Sequence, residues 1–325
     1  MLYIDDSQQH IQAAKNKHCQ LITCYINRKV YGSSCADKSC LICKTKTEIV
    51  SNISTRLKKA FNQINIEQLV SSYPLDLEDI AHVFFTTYYN GLKKAEVSLN
   101  DWNTIEKIFN YKKWFSKKEA NKIYNAYDLC EGLGIDTCIY CNRLYTSTVI
   151  DGKNGNKIIR PTLDHWFSQE EYPILALSFY NLIPSCSPCN TSVKHTAKFR
   201  LEEHVHPYVD KGVEKLYTLK SNYDSTLNKF KIVIDTKEKN ALKTLSDMQI
   251  DKIYSHHQSE LKDLDFLKRK YNKAYLQSLK NTLGKKLSEK DVYRLLLGVE
   301  YDDENFHKRP MSKLKKDILN LDLGT

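Results

Sequence analysis

The stretch DTCIYCNRLYTSTVIDGKNGNKIIRPTLDHWFSQEEYPILALSFYNLIPSCSPCNTSVKHTAKFR, residues 136–200, decides how the chain is read. Two Cys-x-x-Cys pairs, Cys138/Cys141 and Cys186/Cys189, enclose Asp164-His165 and Asn181, and Asn190 follows the second pair directly. A Cys-x-x-Cys turn lets two thiolates reach one ion, and a second such turn closes a tetrahedron with no position left for substrate. Softness and geometry favour zinc over an iron–sulfur cluster. The 44 residues between the pairs, 142–185, exceed the gap of about 15–20 in a compact zinc ribbon. A small subdomain is therefore expected between the knuckles. A disulfide pair or buried free thiols are the plainer alternatives. Against them, Met1-Leu2-Tyr3-Ile4-Asp5-Asp6 lacks the basic and apolar regions of a secretory leader. That predicts a reducing, cytoplasmic setting, where structural disulfides are disfavoured, and hence a structural Zn(Cys)4 site.

Between the knuckles, residues 144–150 are rich in β-branched and aromatic side chains, Asp151-Gly152-Lys153-Asn154-Gly155-Asn156 is turn chemistry, and 157–163 reads as a return strand. Asp164-His165 then falls at a strand end, where a rigid element can aim side chains into a cleft. A short helix is expected over 172–179, a strand over 181–184 and a helix over 190–198, so that Asp164, His165 and Asn190 could converge. Such a trio suits phosphodiester cleavage. A histidine, with an ordinary pKa of about 6.5, can take a proton from water at neutral pH. A carboxylate and an amide oxygen are hard ligands suited to Mg2+, which keeps several waters and binds phosphate oxygens. The plainer roles for the same residues are a cap, a core histidine and a second cap.

Here the residues resemble a known family. Leu163-Asp164-His165, the run YPILALSFYNL over 172–182, and Cys186-x-x-Cys189-Asn190-x-x-x-Lys194 are similar to HNH endonucleases, the ββα-metal or His-Me finger class. The resemblance implies that His165 is the general base and that Asp164 and Asn190 bind a catalytic Mg2+ or Mn2+. It also implies that Asn181 orients the base through a backbone contact, and that the products carry a 5′-phosphate and a 3′-hydroxyl. The third letter is Asn rather than His, a variant that also occurs in the class; His195 is a rival ligand. Lys194, Lys198 and Arg200 become candidate nucleic-acid contacts. A weaker resemblance covers Ile253-Tyr254 with His256 and the closing RPMSKLKKDI, 309–318. These are similar to HNH proteins found beside ATPases in Septu-type and retron-linked anti-phage systems, which implies an ATPase partner.

Bulk properties agree with a soluble nucleic-acid partner. The chain has 325 residues, 41% hydrophobic and 27% charged, and nothing approaches the ~18 consecutive apolar residues of a membrane span. A net charge of +10 attracts polyanions in a salt-dependent way, and DNA is expected rather than RNA. The fold class expected is α+β: a mainly helical region 1–134, an HNH core at 135–205 and a mainly helical region 206–325 with one short strand.

Outside the core, Cys19, Cys24, Cys35, Cys40 and Cys43, with His10 and His18 nearby, could supply a second zinc site. Only Cys40/Cys43 forms a knuckle there, so scattered reduced thiols are the alternative, and Cys130 reads as buried. Apolar stripes predict helices through Ile49–Ile53–Leu57–Ala60–Phe61–Ile64, through Leu77–Ile80–Ala81–Phe84–Phe85–Tyr88 after Pro74, and through Trp102–Ile105–Ile108–Phe109. Ser116-Lys117-Lys118-Glu119 reads as a capping box opening a helix that Gly132 and Gly134 end. Further on, His204 and His206 would share one face of a strand, 227–234 alternates as a strand, and 241–281 is strongly helical, with Tyr271 in its stripe. Ser288-Glu289-Lys290-Asp291 caps a helix to Leu297, and Lys308, Arg309, Lys313, Lys315 and Lys316 form a basic cluster that tracks phosphate or is simply solvated. The functional alternative to a nuclease is a catalytically silent, zinc-dependent nucleic-acid-binding or adaptor protein.

Overall fold

The longest element is one the cysteines conceal. Helix α1 (Gln9–Tyr31) buries Ile11, Ala14, His18, Leu21, Ile22 and Tyr25 at spacings of three and four, and Gly32 ends it with φ 69°. The computed structural model describes the chain except residues 38, 45–49, 52, 92–97, 119–122, 153–154, 271–272, 284–286, 322 and 324–325, and except the side chains at 196, 273, 276 and 283. Expectations resting on Ile49, on Lys153-Asn154, on Glu119 of the Ser116 box and on Tyr271 lie outside the described residues.

Helices and short strands mix, as the α+β reading requires. The chain forms two compact units, one of residues 5–134 and 148–183, the other of 1–4, 135–147 and 184–325. The division coincides with the expected segments at 134/135 and then cuts through the 135–205 stretch rather than around it.

In the first unit, α1 is joined by α2 (Thr55–Phe61), α3 (Ile66–Ser71), α4 (Pro74–Tyr89) and α5 (Leu99–Phe109). Of the stripe expected up to Ile64, α2 carries only Leu57, Ala60 and Phe61, with Ser54 capping it by accepting from the Leu57 amide; Asn65 then caps α3 by accepting from the Gln68 amide. The stripes after Pro74 and before Asn110 fold as helices that bury Leu77, Ala81, Phe84 and Tyr88 on one and Ile105, Ile108 and Phe109 on the other, with Ile80, Phe85 and Trp102 half-buried. The Ser116 amide closes a π turn at Tyr111–Phe115, and its carbonyl and hydroxyl accept from Arg160 at 3.2 and 3.0 Å. Among the described residues, the helix that Gly134 ends with φ 60° is α6 (Ala126–Leu133), under an Asn125/Asp128 capping box. Gly132 lies inside α6, where a Cβ would stand 2.8 Å from Ala14 Cβ, so its smallness sets how closely α6 approaches α1.

The strands are shorter than expected. β1 (Val149–Ile150) pairs antiparallel with β2 (Lys157–Ile159), and Pro161, which cannot donate to a ladder, separates β2 from β3 (Thr162–His165). β3 pairs with β4 (Leu182–Ser185). The helix expected over 172–179 is replaced by two 3-10 turns, Pro173–Leu175 and Phe179–Asn181, each closed by i+3 hydrogen bonds and buried on every side.

In the second unit, β5 (Thr218–Asp224) and β6 (Lys229–Asp235) form an antiparallel hairpin in unbroken register. The sequence predicted only the second strand. The helical run after 241 is not continuous but divides into α7 (Lys239–Asp247), α8 (Ile250–Ser255), α9 (Gln258–Lys270) and α10 (Lys273–Leu283). Gln249, at φ 51°, breaks the helix between the first two. Ser288 and Asp291 cap α11 (Glu289–Leu297) as expected, and α12 (Ser312–Leu319) closes the unit. No described helix is long and apolar enough to cross a membrane.

Candidate functional site

The two knuckles meet inside the second unit. Cys138, Cys141, Cys186 and Cys189 are all buried, and their Sγ atoms lie within 4.8 Å of one another. A tetrahedron with Zn–S near 2.3 Å sets its sulfurs about 3.8 Å apart, and Cys141 and Cys186 stand 3.9 Å apart. Crowding splits the thiols. Hydrogen bonds from Cys138, Cys186 and Cys189 hold Cys141 well below the ordinary thiol range, whereas burial pushes Cys138 well above it. Four soft donors, with Cys141 and, through its hydrogen bond with Cys138, Cys186 held below the ordinary thiol range, fit a structural metal.

The knuckle is braced by the residue after it. Asn142, at φ 47°, donates from Nδ2 to Thr137 Oγ1 at 3.0 Å and to the carbonyls of Phe306 and Arg309 at 2.8 and 3.2 Å. Its Oδ1 and main-chain oxygen accept from the Lys313 and Met311 amides. Tyr254 donates to the Cys141 carbonyl. The closing RPMSKLKKDI segment and Tyr254 therefore serve as the frame of the knuckle, and the basic cluster is largely consumed in ion pairs. Lys313 is buried against Asp317 at 2.5 Å, Lys315 meets Glu260 at 2.6 Å, Lys316 meets Asp303 at 2.8 Å and Arg309 meets Glu300 at 3.1 Å. Each of these four cations therefore already meets a carboxylate.

A second set of four thiols lies in the first unit. Cys24 on α1, Cys35, Cys40 and Cys43 also bring their Sγ atoms within 4.8 Å, with Cys24–Cys43 at 3.3 Å, Cys35–Cys43 at 3.5 Å and Cys24–Cys40 at 3.6 Å. One Cys-x-x-Cys turn is enough because a helix supplies the third ligand. Against the upward push of burial, hydrogen bonds from Cys24 and Cys35 lower Cys43 to about 6. Cys19 is outside the set. His18 is a core residue, fully buried, with Nε2 donating to the Leu177 carbonyl at 2.8 Å and Tyr124 at 3.1 Å from Nδ1.

Asp164, His165 and Asn181 belong to the first unit. Asp164 is buried at the end of β3. His165 Nε2 stands 3.0 Å from the Ala176 carbonyl; a carbonyl only accepts, so Nε2 carries the proton and Nδ1 is the basic nitrogen of the neutral ring. Tyr111 packs edge-on to the imidazole at 4.4 Å and donates to the Leu163 carbonyl at 3.2 Å. Burial holds the Tyr111 phenol above its ordinary range, so it remains a donor. Fully buried Asn181 fixes the turn after the histidine. Its Oδ1 accepts from the Phe167 amide at 2.7 Å, Nδ2 donates to the Leu175 carbonyl at 2.9 Å, and its own carbonyl accepts from Trp166 at 3.0 Å. The sequence singled out neither Tyr111 nor Ala176, since a packing ring and a main-chain oxygen leave no motif.

Asn190 is described in the second unit, where its amide donates to the Cys186 carbonyl at 3.1 Å. The helix expected over 190–198 is absent. A π turn at Pro188–Val193 and a 3-10 turn at Lys194–Thr196 stand there instead. Pro188 starts the turn, and Thr191 back-bonds to the Ser187 carbonyl at 2.8 Å, an alternative that competes with helix propagation. Lys194 is buried with its ammonium 4.8 Å over the Phe199 ring. His204 and His206 lie in a turn rather than on a strand, and His204 is spent on Asp247 at 2.9 Å. Compared with protein families, with curated proteins and with solved structures, the chain matches none.

Proposed function

We propose that this protein is an HNH-type endonuclease that hydrolyses phosphodiester bonds, with zinc in both four-cysteine sets. The observation that carries this reading is the held Asp164-His165 pair: β3 ends on it, the Ala176 carbonyl selects the imidazole tautomer, and Asn181 ties down the following turn. His18 makes the same kind of carbonyl contact within the core, so the weight of the reading falls on the adjacency of Asp164 and His165 at the end of β3. In this reading His165 takes the proton from the attacking water at Nδ1, and Asn181 acts only by positioning. The Asp164 carboxylate is one hard donor, which suits an ion that keeps most of its waters; Asn190 is the further ligand the resemblance implies. Mg2+ or Mn2+, when bound, neutralises charge at the scissile phosphate. The resemblance also supports an ATPase partner in an anti-phage assembly and DNA as substrate.

The test is a Mg2+ and Mn2+ titration against supercoiled plasmid, linear duplex, single-stranded DNA and tRNA, with zinc measured on the same preparation. His165→Ala should lower cleavage about 100-fold or more, the range of a lost general base, at unchanged zinc content. Equal cleavage by the variant sinks the mechanism. The second reading, a silent adaptor, is favoured by one observation: a short π turn stands where a ββα helix is expected. It predicts no product with any divalent ion, in the presence or absence of an ATPase partner.

A further inference from the structure

The β5–β6 hairpin and α9 enclose an open cavity of about 890 Å3 in the second unit. Three aromatic side chains, Tyr223, Phe230 and Phe266, line it together with Lys262, Arg269 and Lys270. Tyr223 and Phe266, 55% and 61% exposed, line the same hollow rather than standing singly. The rings are not loose. Tyr223 and Phe230 meet edge-on at 5.1 Å, the Tyr223 hydroxyl bonds Asn228, and Gln258 clamps Phe230 by accepting from its amide and donating to its carbonyl, both at 2.8 Å. Past Phe230 and Gln258 a second hollow of about 430 Å3 adds Lys229, Lys231 and Lys252.

Charge decides between occupants. Six cations and two carboxylates, Asp251 and Asp265, line the two hollows. Asp265 is already paired with Arg269, while Lys262 and Lys270 pair with no carboxylate among the described residues. An apolar peptide would leave those cations without anions. A duplex keeps its bases stacked on one another and offers none to an aromatic side chain. A single strand offers both unstacked bases and phosphates.

We propose that the groove between the β5–β6 hairpin and α9 binds single-stranded nucleic acid, with bases stacked on Tyr223 and Phe266 and phosphates held by Lys262 and Lys270. Binding here is separate from the chemistry assigned to His165, so either can fail alone.

The experiment uses the full zinc-loaded chain carrying His165→Ala, without Mg2+, and labelled oligothymidylate, an RNA of the same length and a matched duplex, read by fluorescence anisotropy. The single strand should bind more tightly than the duplex. Tyr223→Ala with Phe266→Ala should weaken it at least tenfold, since stacking contributes about 1–3 kcal/mol per base, while Phe266→Tyr keeps it. Lys262→Ala with Lys270→Ala should lower the salt slope by about 1.4, at ~0.7 per phosphate contact. These positions are exposed, so the variants should unfold at the parent's denaturant midpoint. Preference for duplex, or indifference to the ring substitutions, overturns the proposal. So does absence of binding; self-association lost in the same variants would assign the face to a second copy of the chain. Cleavage assays on the His165 chain stand or fall separately.

Discussion

Single residues carry two separate kinds of consequence. Asn181 is a positioning residue whose loss should be felt twice: Asn181→Ala leaves the buried Phe167 amide without an acceptor, a cost of about 1–3 kcal/mol. Denaturant unfolding should show that loss, and cleavage should fall with it, whereas His165→Gln, which keeps a donor for the Ala176 carbonyl, should lose less stability and still remove cleavage. A large activity loss with no stability change in Asn181→Ala would instead place the amide on the reacting groups. His18 makes a pH prediction. Burial lowers its pKa from the ordinary 6.5 to about 4, even though the Leu177 carbonyl favours the charged ring. The folded chain therefore binds this proton less tightly than the unfolded chain. The contribution of the neutral ring is complete above pH 6.5 and is lost as the pH falls toward 4, with a ceiling of about 3 kcal/mol at ~1.36 kcal/mol per unit. His18→Gln keeps a donor for Leu177 and an acceptor for Tyr124 and has no proton to bind. Urea unfolding at neutral pH and within that window, both with excess zinc, should show a smaller acid loss in the variant. Equal losses would move the acid sensitivity elsewhere. Both residues show what sequence can tell: Asn181 was legible through a motif, His18 was not, because burial is a property of the fold.

At the scale of elements, what was legible depended on period. The stripes of α4 and α5 and the Ser288 cap of α11 were readable because apolar spacing and capping chemistry are local. α1 was hidden because His18 holds a core position that an apolar period does not count and because its cysteines drew the reading toward metal. The turns over 173–181 fold where a helix was expected because that text is apolar and buried on every side, which removes the need for amphipathic spacing, whereas over 188–196 Pro188 and the Thr191 back-bond compete with helix propagation. Gly132 gives a test of packing against propensity. Within an exposed helix, glycine to alanine stabilises by about 1 kcal/mol. Here the new methyl would stand 2.8 Å from Ala14 Cβ, a side chain with no rotamer to yield. Gly132→Ala should therefore destabilise by about 1–3 kcal/mol, the range for overpacking, and Ala14→Gly in the same chain should recover part of it. Thermal or denaturant midpoints of the four chains close this cycle. A stabilised Gly132→Ala single variant would mean that α1 and α6 part without cost.

Across the whole molecule the two four-cysteine sets divide cleanly: Cys24, Cys35, Cys40 and Cys43 belong to one compact unit, and Cys138, Cys141, Cys186 and Cys189 to the other. The second of these was legible as paired knuckles. The first was visible only as a loose group, since a helix supplies Cys24 and spacing along the chain does not reveal that. Metal binding in such sites is folding free energy, because the unfolded chain has no preformed site. Two zinc ions per chain are expected by atomic spectroscopy, and each set should fail by itself. Cys40→Ser should remove one equivalent and raise hydrogen exchange in residues 5–134 and 148–183. Cys189→Ser should remove the other and act on 135–147 and 184–325. The second set is buried throughout, whereas Cys35 and Cys43 reach the surface of the first, so a chelator should strip the Cys24 set sooner. Loss of both ions in either variant would tie the units into one folding block. A single ion in the parent chain, retained in Cys40→Ser, would leave the first set as reduced thiols drawn together by packing alone.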